Sequence, residues 1–146
     1  MEAADPIIRP ATAADTDALA GLVTHLGYPT DAESMRGRLA TILPRRDYAT
    51  FVAERGGRVV AFVGVMYGLS YNADGPYARV LALVCEPEER GKGTGARLLA
   101  EAERWAREQG AAKVHLTTAL HRDDAHRFYE RSGYERTGAR YLKKLA

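Results

Sequence analysis

The sequence predicts a single domain of the α+β class over residues 1–146, a mixed sheet with helices in the order β-α-α-β-β-β-α-β-α-β. Three observations carry that expectation. A chain of 146 residues with 46% apolar side chains has a common single-domain length and can fill one core without disulfides or a structural metal. Apolar residues recur at helical spacing as far as Ile42, change to Val-rich runs from Thr50, and return to helical spacing after Gly95. The strand-like runs in between follow one another with no helix separating them, which excludes a doubly wound parallel sheet.

The elements follow in order. Ile7-Ile8-Arg9 reads as a short first strand. Thr12-Ala13-Ala14-Asp15 supplies a capping residue ahead of Leu19, Leu22, Val23 and Leu26, whose helical spacing is stopped by Gly27-Tyr28-Pro29. Thr30 or Asp31 caps a second helix that carries Met35, Leu39 and Ile42 and ends before Pro44. Thr50 to Glu54, a Gly56-Gly57 turn and the run Arg58 to Tyr67 read as a β-hairpin with a two-residue loop. Asn72 to Pro76 make the next turn, and Tyr77 to Cys85 closes an antiparallel meander. From Gly95 to Gln109 the residues Leu98, Leu99, Ala102, Trp105 and Ala106 form one apolar stripe opposite Glu and Arg, and Gly110 ends that helix. Lys113 to Leu120 is expected as a strand, Asp123 to Arg131 as a short helix stopped by Ser132-Gly133, and Tyr134 to Leu145 as a last strand.

Composition excludes several classes. Charged residues are 27% of the chain, and 21 Lys+Arg against 19 Asp+Glu leave +2, too weak a field to argue for nucleic acid. Where charges cluster, as in Glu101-x-Glu103-Arg104-x-x-Arg107-Glu108, the signs are mixed and the pattern is that of a solvated helix face. The lone cysteine, Cys85, excludes an internal disulfide framework and a cysteine-based zinc cluster, and the four His show no ligand spacing, so no metal site is expected. Met1 to Asp5 lack the basic and apolar regions of a signal peptide, and the longest apolar stretch, Val59 to Tyr67, covers about nine residues where a membrane span needs around 18. A soluble cytoplasmic protein with no membrane partner is expected.

The segment Pro87 to Gly95 lies between a strand and the long helix, with glycine at 91, 93 and 95. Glycines at alternate positions let the backbone aim N–H groups at one point without Cβ obstruction, and the helix adds its own free N–H groups and positive dipole end. Arg90 and Lys92 put full charges beside this anion cradle, which suits a pyrophosphate better than a single carboxylate. A P-loop is excluded because Lys92 is followed by Gly93, and Glu86 stands where the first glycine is needed. Gly91-x-Gly93-x-x-Ala96 satisfies a relaxed dinucleotide fingerprint, but that motif belongs in the first turn of a parallel sheet. A solvated glycine-rich turn is the plain alternative.

Arg90-x-x-Gly93-x-Gly95, preceded by Leu83-Val84-Cys85-Glu86-Pro87, resembles the acetyl-CoA signature of the GNAT superfamily of N-acetyltransferases, R/Q-x-x-G-x-G/A after a strand end. Ala125-His126-Arg127-Phe128-Tyr129-Glu130-Arg131-Ser132-Gly133-Tyr134 is similar to the family's A-x-x-F-Y-x-x-x-G-F/Y helix. The element order also matches, so the resemblance covers essentially the whole chain and implies a GNAT-like N-acyltransferase fold.

The resemblance implies that backbone N–H groups of Arg90, Gly91, Lys92, Gly93, Thr94, Gly95 and Ala96 hold the CoA pyrophosphate. The Leu83-Val84-Cys85 strand end, through the main chain of Leu83 and Cys85, would pair with the pantetheine arm, admitted where the fourth and fifth strands splay apart. Cys85 stands where the family usually has Val and is read as a small buried hydrophobe rather than an acyl carrier. Tyr129 is the expected catalytic residue: its phenol, of pKa roughly 10, would protonate the departing CoA thiolate. The competing reading makes it a core aromatic beside Phe128 and Tyr134, residues assigned to the packing face.

Two positions depart from the family's pattern. Leu81 stands where many members carry a carboxylate that deprotonates the amine; His25, Glu33, Asp74 and His126 are conceivable substitutes. Arg122 replaces a frequent Asn, which removes a side-chain contact to the cofactor and leaves a cation that could reach a phosphate. The expected activity is acetyl transfer from acetyl-CoA to a primary amine, on a small molecule or a protein, by direct attack in a ternary complex. The alternative is a non-catalytic acyl-CoA-binding sensor. Asp31, Glu33 and Asp74 are candidates to attract a cationic acceptor, and Tyr141-Leu142 offers an apolar edge that permits a homodimer.

Overall fold

The computed structural model describes residues 4–118 and 123–146, in two compact units, Met1–His115 and Leu116–Ala146. In the first unit the chain begins with β1 (Ile7–Pro10) and enters α1 (Thr16–Leu26) through a 3-10 turn, Ala13–Asp15, closed by a reciprocal capping box between Thr12 and Asp15. Asp15 is buried and receives Nη1 and Nη2 of Arg9 at 2.9 Å, so the guanidinium holds its carboxyl below the usual range. Gly27, at φ 115°, ends α1 in the left-handed conformation. Asp31 starts α2 (Ala32–Ile42) by accepting the Ser34 N–H at 2.7 Å.

The meander follows as β2 (Tyr48–Arg55), β3 (Arg58–Leu69) and β4 (Pro76–Cys85), all antiparallel. Gly56 and Gly57 both have positive φ, 59° and 78°, as a two-residue hairpin loop between Arg55 and Arg58 requires. The helix α3 (Thr94–Glu108) leads to β5 (Val114–Leu116), and the sheet order is β1-β2-β3-β4-β5. Val52, Phe62 and Val84 pack with Leu19, Leu22, Met35 and Leu39 of α1 and α2. The alternate residues Phe51, Ala53, Ala61 and Val63 are also buried, on the face that α3 covers with Leu98, Leu99, Ala102, Trp105 and Ala106. Burial on both faces is why β3 reads as an unbroken apolar run.

The second unit contains α4 (Asp123–Arg131), with Gly133 at φ 92° beyond it. The strand expected over Tyr134 to Leu145 does not form: residues 135–146 have no regular structure, and Tyr141 and Leu142 are 94% and 68% exposed. The segment lacks the alternation that gives a strand one apolar face, since Tyr141 and Leu142 are adjacent and charges surround them. The fifth strand is also shorter than Lys113 to Leu120; Thr117 and Thr118 are not in it, and Ala119 and Leu120, with Arg122, lie outside the described residues. Among the described residues, no helix is long and apolar enough to cross a membrane.

Candidate functional site

The loop between β4 and α3 is built mainly from backbone. After Cys85 the Glu86 N–H donates to Val60 O at 2.9 Å, and Pro87–Glu89 makes a 3-10 turn. Gly91 and Gly93 then adopt φ of 77° and 82°, the left-handed region that glycine enters without Cβ strain. Gly93 is the N-cap of α3. Five N–H groups of the segment fall into two sets. Arg90 N–H donates to Pro87 O at 3.2 Å and Lys92 N–H to Glu89 O at 3.3 Å, so both are turned into the loop itself. Those of Thr94, Gly95 and Ala96 lie in the first turn of α3, where a helix has no acceptor one turn back, and they point along its positive dipole end. Arg90, Gly91, Lys92, Gly93 and Ala96 are exposed, and Gly95 is half-buried.

Under the loop sits a buried charge cluster that no local pattern in the sequence marks. Glu89 is 4% exposed and Thr94 is fully buried; the Thr94 hydroxyl donates to Glu89 Oε1 at 2.8 Å. Arg55, at the end of β2, donates to the same carboxylate through Nε at 3.2 Å and Nη2 at 3.1 Å. Lys92 Nζ lies 3.7 Å from Oε2. Burial pushes the Glu89 carboxyl up, but bonds from Thr94 and Arg55 and the charges of Arg55 and Lys92 outweigh it and hold the group below the usual range. The side chain of Thr94 therefore faces the protein, and only its main chain faces the helix end.

Leu83 and Cys85 are half-buried on β4, opposite Val63 and Ala61 of β3, while Val84 enters the α1/α2 core. Burial, with a smaller contribution from Glu89, pushes the Cys85 thiol up to about 11, so it stays protonated and is a poor nucleophile. Between the pairs Gly64↔Ala82 and Val65↔Val80 the register skips Leu81, an extra residue that bends β4 and is 50% exposed. Within β4 no Gly or Pro marks this bulge, but Gly64 of β3 stands across from it.

In the second unit, Tyr129 is half-buried on α4, with ring centroids 5.2 Å from Phe128 and 6.0 Å from Tyr134. It thus belongs to the same aromatic cluster as the two residues expected to form the packing face. Tyr134 N–H donates to Tyr129 O at 3.0 Å, so the turn through Gly133 folds back on the helix end. The substitutes for a missing base are dispersed. His25 lines a cavity of about 300 Å³ with Arg58, Glu86 and Glu88, Glu33 is exposed in the first turn of α2, Asp74 is exposed in the turn before β4, and His126 is on α4. Asp31 is engaged as the cap of α2. Among the described residues, no group of His, Cys, Asp and Glu is arranged to hold a metal ion.

The profile of the Acetyltransferase (GNAT) family matches residues 17–134. An aminoalkylphosphonate N-acetyltransferase of Salmonella typhimurium is 34% identical over 139 residues, 94% of this chain and 90% of that protein. A type 1 aminoglycoside N(6')-acetyltransferase of Stenotrophomonas maltophilia is 30% identical over 141 residues, 94% of this chain and 91% of that protein. The crystal structure of a GNAT family acetyltransferase from Staphylococcus aureus matches with a TM-score of 0.82 at 26% identity, covering 97% of this chain and 100% of that one. With a left-handed glycine loop opening α3, a profile match that runs through both units and transferase relatives aligned over nearly the full chain, the conclusion is that the chain belongs to the acetyltransferase (GNAT) family and is an enzyme that carries the acetyl group of acetyl-CoA to an amine.

Proposed function

We propose that residues 1–146 act as one N-acetyltransferase domain whose acceptor is a small-molecule amine, with the CoA pyrophosphate on the loop between β4 and α3. The observation that carries this reading is the pair of left-handed glycines, Gly91 and Gly93, set directly before the free N–H groups of Thr94, Gly95 and Ala96. Arg90 and Lys92 add charge through their side chains, since their N–H groups serve the loop. The pantetheine arm runs along the Leu83–Cys85 edge of β4. The free amine attacks the thioester carbonyl, the nitrogen of the tetrahedral adduct loses its proton to water, the C–S bond breaks, and the CoA thiolate takes the proton of the Tyr129 hydroxyl. Tyr129 then regains its proton from solvent.

The acceptor class is read from the relatives. An aminoalkylphosphonate carries a phosphonate anion beside its amine, and an aminoglycoside is a polycation, so the two named relatives take acceptors that differ in net charge. The greater identity favours the aminoalkylphosphonates as the first compounds to try. A cytoplasmic location fits the single free thiol, Cys85. The test is a thiol-release assay with acetyl-CoA across aminoalkylphosphonates, aminoglycosides, polyamines and amino acids. Release that depends on one of these amines supports the reading; binding of acetyl-CoA without amine-dependent release from any of them would return the chain to the sensor alternative, which the transferase relatives do not favour.

A further inference from the structure

We infer that Glu89 is a positioning residue for acetyl-CoA, holding the phosphate loop in its binding shape through Thr94 and Arg55. The inference rests on the cradle reading above and adds residues to it. Glu89 and Thr94 bracket the four exposed residues Arg90 to Gly93, and their 2.8 Å side-chain bond closes the loop from beneath. Arg55 ties the same carboxylate to the end of β2 with Nε and Nη2, and its Nη1 donates to Ala4 O. The loop is thereby fastened to the sheet as well as to itself. It needs such a fastening because two of its four residues are glycines, which lose more conformational freedom on ordering than any other residue.

Attraction of the cofactor cannot be the carboxylate's purpose, because a negative charge beside a pyrophosphate repels it. Arg55 and Lys92 offset that charge, leaving geometry as the net contribution. Stability alone does not account for the cluster either, since a buried ion pair is often no more stabilising than an apolar replacement of the same volume. An orienting role explains both its position and its retention of full hydrogen bonding.

The experiment compares two acetyl donors, acetyl-CoA and acetyl-pantetheine, the latter a thioester without pyrophosphate or nucleotide. In Glu89→Ala the KM for acetyl-CoA should rise about tenfold or more at nearly unchanged kcat, the loss expected when a charged hydrogen-bond anchor is removed. The kcat/KM for acetyl-pantetheine should stay within about twofold of wild type, because that donor does not use the loop. Glu89→Gln, nearly isosteric and still able to accept from Thr94, keeps the comparison available if the alanine variant does not fold, and should show a smaller rise. Equal losses with both donors would mean a general structural role, and an unchanged KM for acetyl-CoA would mean no role; either overturns the inference. If wild-type enzyme already uses the two donors equally well, the cradle reading itself fails, an outcome distinct from both.

Discussion

Two regions divide the proposed work of this enzyme, and they do so by different chemistry. Between β4 and α3 the groups proposed to face the ligand are main-chain N–H groups, and the side chains Glu89, Thr94 and Arg55 lie under the loop and are joined through Glu89. On α4 the proposed contribution is one side-chain atom, the Tyr129 hydroxyl, carried on a ring that packs with Phe128 and Tyr134. A backbone site depends on φ and on support from beneath, so it tolerates exchange of exposed side chains but not of the glycines. A side-chain site depends on one atom, so a conservative exchange that leaves packing intact is enough to disable it.

The largest expected effect falls on α4. Tyr129→Phe removes a hydroxyl and little volume, and kcat should drop about 10²- to 10⁴-fold while CoA still raises the melting temperature. A variant that turns over at the wild-type rate would make Tyr129 a packing residue and erase the contrast. Gly93→Val tests the other region. A Cβ at Gly93 meets no atom of the protein within 4 Å, so the folded chain has room for it, but φ of 82° penalises it and the side chain would stand in the cradle. The CoA-induced stabilisation, about 2.7 kcal/mol at 100 times Kd, should vanish in a protein that still unfolds cooperatively. Persistent CoA binding would move the pyrophosphate elsewhere.

A third measurement asks whether a second side chain acts on the proton side of the reaction. Leu81 offers no carboxylate, so kcat/KM should rise about tenfold per pH unit up to the acceptor's own pKa, about 10.4 for a lysine-like amine and 7.7–8.0 for an α-amino group. The inflection should follow the acceptor when a less basic amine is used. One that stays near 6–7 for every amine points to a protein base, with His25 and His126 the first to replace by alanine. The smallest effect serves as a control. Gly57 has φ of 78°, close to that of Gly93, yet it only reverses the hairpin. Gly57→Ala should cost about 1–2 kcal/mol of stability and leave the CoA-induced shift intact. Loss of that shift would show that the loop depends on the hairpin next to Arg55.

Features settled within a few residues are legible in the sequence. The cap at Thr12, stops at Gly27 and Gly133, and the Gly56-Gly57 turn are local hydrogen-bond and φ requirements, and each is found where the residues place it; of Thr30 and Asp31, which both suit a cap, Asp31 takes the role. The glycine loop was legible for the same reason, since Gly91 and Gly93 directly ahead of an amphipathic helix describe a backbone shape, while Gly95 falls inside the helix. Nothing local separates Glu89 from Glu88, yet one is buried and the other exposed, because only Glu89 meets Arg55, a residue 34 positions away. Leu81 looks like any strand residue until pairing with β3 skips it. Tyr134 to Leu145, whose adjacent Tyr141 and Leu142 stand among charges, meets no strand partner among the described residues. Ion pairs, bulges and strand edges were left to the tertiary structure because their free energy comes from which distant segments meet, and a short stretch of sequence carries no record of its partner.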